Sequence, residues 1–247
     1  MANPRVRFRL SSCFVKPSGR APQHHPCCSR PHTAAVDDYL KAIFDLCAGG
    51  GSATTTSIAA LVGVAAPSVS AMLARLADDD LITRPGPHRV ELTDHGRRHA
   101  LAVVRRLRIV EEFLVRALDV PWHEVRPEAE QLSRAVSERL LERIDAHLGH
   151  PTHDPHGDPI PPAHGEHDEA RPQALSRARP GTHVIVSRVS DRDCELLLYL
   201  GQLGIRPGVV LDVLEQAPFG GPLWVAIDGR RVPLGPQLTD HVFGGTT

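Results

Sequence analysis

Six histidines stand out first for chemistry. His147, His150, His153 and His156 recur every third residue, and His164 and His167 follow. Imidazoles at this density can ligate nickel, zinc or cobalt, as a metal-buffering or interaction segment would. Pro151 and Pro155 interrupt any helix that would align them. A second set is suited to phosphate and base edges: Ser68, Ser70, Arg75, Arg84 and Arg89, with the small or apolar Ala65, Pro67 and Ala71 between them. Set against a duplex, hydroxyls and guanidiniums would hold phosphates and set register, whereas Ala and Pro could only touch a thymine methyl group, so direct base readout would be weak and DNA shape would carry much of the specificity. Cys13, Cys27, Cys28, Cys47 and Cys194 are odd in number and irregular in spacing, and suggest neither a disulfide framework nor a CxxC zinc site. No Ser-His-Asp arrangement, phosphate-binding glycine loop or HExxH helix is present, which argues against an enzyme. His95 and His99 are expected on a solvated helix face.

The phosphate-binding set needs a helix-turn-helix and a wing to position it. Val36, Leu40, Ile43, Phe44 and Cys47 recur at helical spacing until Gly49 to Gly51. In residues 54 to 76, Thr55 or Thr56 is expected to cap a helix that buries Ile58 and Val62, with Ala59 permitting close approach. Gly63 supplies the turn and Val64 is expected to plug the corner. A second helix, opening near Pro67, buries Val69, Leu73 and Leu76. Leu81 to Arg84 and Arg89 to Leu92 then read as strands flanking a turn at Pro85-Gly86-Pro87-His88, and Thr93 or Asp94 caps the next helix. The second helix of such a module enters the major groove of a palindromic operator.

At 247 residues and 41% hydrophobic the chain can bury two or three modest cores. Its net charge of -1 carries no global signature of nucleic-acid binding, so that reading rests on the motif. Residues 1 to 34 hold Arg5, Arg7, Arg9, Lys16, Arg20 and Arg30 with no acid, and read as a disordered basic extension. No apolar run reaches the ~18 to 20 residues of a membrane span and no secretory signal is apparent, so the protein is expected in the cytoplasm without membrane contact. The expected domains are a winged-helix DNA-binding domain at 35-100, a helical dimerisation and metal-site domain at 101-148, a His/Pro-rich linker at 149-181 and a small β-barrel at 182-245. Its strands are expected at His183 to Val189, Val209 to Leu214 and Leu223 to Ile227, with one helix at Glu195 to Leu203. Leu101, Val103, Val104, Leu107, Val110, Leu114 and Leu118, with Leu132, Val136, Leu140 and Ile144, form more apolar surface than one small head can bury, which predicts a homodimer.

Asp38-Tyr39-Leu40, the helix-turn-helix and wing, and Leu92-Thr93-Asp94-His95-Gly96-Arg97 resemble the start of the diphtheria-toxin-repressor family, including its manganese-sensing branch. The resemblance continues through Arg105 to Leu118 as the family's long helix and Glu128-Ala129-Glu130 to Ile144 as its dimerisation helix. Pro155-His156-Gly157-Asp158-Pro159-Ile160-Pro161 matches its linker, and Gly204-Ile205-Arg206-Pro207-Gly208 its SH3-like barrel. It implies a mainly α winged helix-turn-helix with a helical dimerisation domain and a C-terminal SH3-like barrel. It further implies a homodimeric repressor of metal-homeostasis genes that responds to divalent manganese or iron.

The resemblance places candidate ligands at Asp38, Glu111 and Glu130, all oxygen donors suited to a hard divalent ion. Other family positions differ: Lys41 stands where the manganese branch has Glu, Leu107 and Arg126 replace histidines, and Ser133-Arg134 replaces a Glu-His pair. Two carboxylates without imidazole hold a transition metal poorly. Lys41 and Arg134 place positive charge where a dication would sit, so ion pairs to Asp38 and Glu130 are an alternative to metal. Asp193 and Glu195 fall near where the family's barrel lends ancillary ligands.

Overall fold

The computed structural model describes residues 33–47, 51–86, 88–163 and 172–246. The basic residues Arg5 to Arg30, Cys13, Cys27, Cys28, Gly49, Gly50, Pro87, His164 and His167 lie outside the described residues.

The first core belongs to the head. Helix α1 (Ala34–Cys47) buries Val36, Tyr39, Leu40, Ile43 and Phe44, one stripe of a 3.6-residue period. Helix α2 (Thr55–Val62) is capped one residue earlier than expected: the Thr54 hydroxyl accepts from the Ser57 amide, and the Ser57 hydroxyl accepts from the Thr54 amide. Ser therefore does here what Glu or Gln does in the usual capping box. Gly63 ends α2 at φ +76° in the left-handed region, and α3 (Ala66–Asp78) leaves at 108°, an angle in the helix-turn-helix range. Val69, Leu73 and Leu76 face inward with Ile58. Val64 does not plug the corner: it is 39% exposed and stands outside the head core, to which Leu81 and Ala53 belong.

Strands β1 (Ile82–Gly86) and β2 (Arg89–Leu92) pair antiparallel with Ile82 opposite Leu92 and Gly86 opposite Arg89. Helix α4 (Asp94–Leu118) follows at once, capped by Thr93 through its hydroxyl to the Gly96 amide. A Cβ at Gly96 would lie 1.8 Å from the Leu81 carbonyl oxygen, so only glycine lets the helix seat against the wing. α4 runs unbroken across residue 100, carrying the head core and the next core on one element.

The dimerisation segment, expected as one helix, is two: α5 (Val125–Ala135) and α6 (Glu138–His147), separated where the Ser137 hydroxyl caps α6 by accepting from the Leu140 amide. They pack Val125, Ala129, Leu141 and Ile144 against Ile109, Val110 and Leu114 of α4. Leu118, Leu132 and Leu140 remain 58%, 36% and 47% exposed.

The barrel is one antiparallel sheet ordered β3-β8-β4-β5-β6-β7. Its members are β3 (Gln173–Ala174), β4 (His183–Val189), β5 (Val210–Gln216), β6 (Leu223–Ile227), β7 (Arg230–Leu234) and β8 (Val242–Thr246), with α7 (Cys194–Gln202) and the short α8 (Pro236–Thr239) closing it. β3, within the segment expected as linker, and β7 and β8 were not expected. The first is only two residues long, and the last two are interrupted by Pro233 and by Gly244 and Gly245, which weaken an alternating pattern. Trp122, from the α4–α5 connection, completes the barrel core. Its indole lies against Gly201 of α7 and beneath the Arg206 guanidinium, 4.9 Å from the ring centre. Among the described residues no single helix is long and apolar enough to cross a membrane.

Candidate metal centre and DNA-binding face

α4 and the linker loop bring together three buried groups far apart in the chain. Glu111 is fully buried in the middle of α4, and Asp154 and His156 are 6% and 0% exposed in the loop that follows α6. One ligand atom from each lies within 4.8 Å of the other two. The loop is built for this. The Asp154 carboxylate accepts from the amides of His156 and Asp158, winding the chain into a turn. Gly157, at φ +88°, then passes so close to β4 that a Cβ would lie 2.0 Å from the Ser187 carbonyl oxygen. The Val189 amide donates to the His156 carbonyl, fastening the loop to the barrel.

His156 is oriented by a partner that can only accept. Its Nε2 is 2.7 Å from the Trp122 carbonyl oxygen, so Nε2 carries the proton and the lone pair of the neutral ring is on Nδ1. The Trp122 indole stacks on the imidazole at 5.6 Å and 28°. That Nδ1 is buried without a hydrogen-bond partner, as are both carboxylate oxygens of Glu111. Burial pushes the Glu111 carboxyl up to about 8 despite the nearby Arg126, and burial likewise raises Asp154, with Asp158 adding to it. Burial opposes ionisation of Asp158 too, but Arg108 and Arg188 outweigh it and hold its carboxyl below the ordinary value.

These groups fit a divalent ion. Buried polar atoms without partners are costly and uncommon. Two carboxylates and one imidazole offer three protein donors suited to manganese, iron or zinc. Glu111, Asp154 and His156 are the residues that would hold it.

The other expected ligands are held differently. Asp38 pairs with Arg134 at 2.8 Å, and Glu130 pairs with Lys41 at 3.1 Å and Arg126 at 3.2 Å. Arg126 also reaches Glu111 at 3.5 Å and makes a closer contact to Asp191. Burial works against ionising Glu130, yet Lys41 first and Arg126 second hold its carboxyl below the usual range. Ser133 donates to the Glu130 carbonyl, and Leu107 is buried in apolar surroundings. An ammonium and two guanidiniums occupy acceptors of Asp38 and Glu130 here, and among the described residues no histidine is grouped with them, a donor set poorly suited to a transition metal.

Asp193 caps α7 by accepting from the Glu195 and Leu196 amides; both Asp193 and Glu195 are exposed, and neither belongs to the buried group. Of the regularly spaced histidines, only His156 joins the buried group. His150 pairs with Asp145 at 2.9 Å, and His153 with the Thr152 hydroxyl. His95 is not solvated: it is 7% exposed, meets His99 edge-on at 4.7 Å and lies within 3.4 Å of the Arg98 guanidinium. Asp154 was missed altogether. Its signal was an Asp two residues before a His in a Pro- and Gly-rich turn, a sequence that also reads as plain linker.

The residues expected to contact DNA are all exposed. Ala65, Pro67, Ser68, Ser70, Ala71 and Arg75 lie on the outer side of α3 and its entry, with Arg84 and Arg89 on the wing. The Ser70 hydroxyl donates back to the Ala66 carbonyl at 3.1 Å. Arg89 pairs with Glu91 at 2.6 Å.

Comparison with known proteins agrees with this architecture. Residues 32–85 match the iron dependent repressor N-terminal DNA binding domain, residues 93–162 the iron dependent repressor metal binding and dimerisation domain, and residues 173–244 the FeoA domain. The iron-dependent repressor IdeR of Mycobacterium tuberculosis is 32% identical over 216 residues, spanning 82% of this chain and 93% of that protein. The chain belongs to the diphtheria-toxin-repressor family. The IdeR of Mycobacterium leprae is 37% identical over 217 residues, covering 83% of this repressor and 94% of its relative. A solved manganese-dependent transcriptional repressor in complex with manganese superposes with a TM-score of 0.81 at 41% identity, covering 86% of this repressor and all of that chain. The relatives are transcriptional repressors rather than enzymes. The buried trio of this repressor lies within the part matched to the metal binding and dimerisation domain.

Proposed function

We propose that the chain is a dimeric, cytoplasmic repressor of metal-homeostasis genes. It grips a palindromic operator with the winged helix at residues 54 to 92 and binds manganese or iron through Glu111, Asp154 and His156. The observation that carries the metal assignment is that the Glu111 carboxylate oxygens and His156 Nδ1, all buried and without a hydrogen bond, converge with Asp154. A bound divalent ion would add its charge to that of Arg126, 3.5 Å from Glu111, and Arg108, 3.6 Å from Asp154, and would take up the donor atoms left without hydrogen bonds. Glu111 belongs to the long helix, whereas Asp154 and His156 belong to the loop pinned to the barrel. Binding at the trio therefore joins α4 to the linker, and Asp158 extends the link to Arg188 of β4 at 3.0 Å.

The test is a titration of the purified dimer with manganese(II), and with iron(II) under anaerobic conditions, followed by its binding to the DNA upstream of its own coding sequence. About one ion per protomer and a salt-dependent shift of that duplex are expected. A chain that takes up neither ion, or shifts a scrambled duplex equally well, would sink the proposal.

The wing sharpens the DNA side. Arg84 is exposed and, among the described residues, in no ion pair, whereas the charge of Arg89 is already shared with Glu91. Arg84→Ala should therefore weaken binding to all duplexes alike and reduce the salt slope by about 1, with a smaller effect from Arg89→Ala. Selective loss on one sequence would instead make Arg84 a base reader.

A further inference from the structure

α1 carries the apolar stripe of the head core, and α5 belongs to the separate core of the dimerisation domain. What these two helices present to each other is charge. Arg134 of α5 meets Asp38 of α1 at 2.8 Å, and Lys41 of α1 meets Glu130 of α5 at 3.1 Å, so the two pairs cross the junction in opposite senses. Arg126 holds the other side of Glu130 at 3.2 Å and ties it to Asp191 of the barrel and Glu111 of α4. All three cations line one cavity of about 460 Å³ at this junction.

We propose that Lys41, Arg126 and Arg134 are built-in cations that clamp the DNA-binding head to the dimerisation helices, so that operator binding survives removal of metal from the buried centre. Lysine and arginine stay charged throughout the physiological range, so the clamp needs no ligand to close it. A divalent ion placed among the same carboxylates would meet an ammonium and two guanidiniums at contact distance, a repulsive arrangement. Arg134 and Asp38 are 51% and 41% exposed, so their pair adds little to global stability, whereas Lys41 is only 19% exposed and its pair is the better shielded of the two. What two crossed pairs supply is orientation, which ion pairs specify better than they stabilise.

This inference rests on the DNA-binding reading above, and its test separates the two. The full-length dimer would be titrated onto its upstream duplex with manganese and then with EDTA. The same measurement would follow for the double reversal Lys41→Glu/Arg134→Glu and for the swap made on it by adding Asp38→Arg and Glu130→Lys, which re-forms both pairs with their charges exchanged. Wild type should lose less than about tenfold in affinity on chelation, the double reversal should lose about tenfold or more with manganese present, and the swap should recover most of it. Hydrogen exchange of α1 and α5 should rise in the double reversal and return in the swap, while far-UV circular dichroism stays unchanged. A tenfold or greater loss of wild-type affinity on chelation overturns the proposal, as does a double reversal whose exchange matches wild type or a swap that restores nothing. Should wild type bind no duplex under any condition, the DNA-binding reading fails and so does survival on chelation; exchange then decides the clamp alone.

Discussion

His156→Ala is expected to lower manganese affinity by roughly 100-fold or more, while His150→Ala and His153→Ala leave it unchanged, as measured by isothermal titration calorimetry on the intact dimer. The difference lies in surroundings rather than residue type. His156 is fully buried, its Nε2 is committed to the Trp122 carbonyl and its Nδ1 is left without a hydrogen bond, whereas the other two have partners at the surface. Because Trp122 stacks on the same ring, ion binding should also change its fluorescence, and the alanine variant should abolish that change. Glu111 adds a pH signature. Burial raises its carboxyl to about 8, so near neutral pH the ion must displace a proton. Affinity should therefore climb as pH rises from ordinary carboxylate values toward 8, and the heat of binding should depend on buffer ionisation. Glu111→Gln should remove both effects along with tight binding. Equal losses at His150 and His156 would move the site to the exposed histidines.

The second large effect is expected at Gly157, where Ala should destabilise the protein by about 3 kcal/mol and uncouple the metal centre. Two costs coincide there. The backbone sits at φ +88°, unfavourable for a side chain, and the new Cβ would lie 2.0 Å from the Ser187 carbonyl oxygen, a main-chain atom of β4 that cannot rotate away. Relief would require the loop to lift from the barrel, carrying Asp154 and His156 with it. A domain of this size should then melt about 6 to 12 °C lower, with manganese affinity reduced as well. Gly149→Ala is the control: φ is +78° but nothing lies within 4 Å of the added Cβ, so only the backbone strain of about 1 kcal/mol applies. If the two variants melt together and bind manganese equally, the loop does not depend on its seat against β4.

Where local chemistry governs, the sequence was sufficient. The 3.6-residue stripe of α1, Gly63 as a left-handed stop, Pro67 near the start of α3 and Thr93 as the cap of α4 each act within a turn of chain, and these elements form as their residues dictate. Local rules misplaced smaller features: Thr54 displaced Thr55 as cap because Ser57 answers it, and Val64 is left 39% exposed, outside the head core assembled from α1, α2, α3, the wing and α4. The charge pairing of Lys41 and Arg134 with Glu130 and Asp38 was legible only through the family resemblance, since 89 and 96 residues separate the partners.

The metal centre lay beyond such rules. Nothing in the spacing of the histidines distinguishes His156 from its neighbours, and Asp154 in its turn reads as linker. Tertiary structure made the choice by closing the loop between α4 and β4, which removed His156 and Asp154 from water and set them opposite a buried Glu111. Burial is a property of the assembled fold, and here burial turns one histidine of a regular series into a candidate ligand.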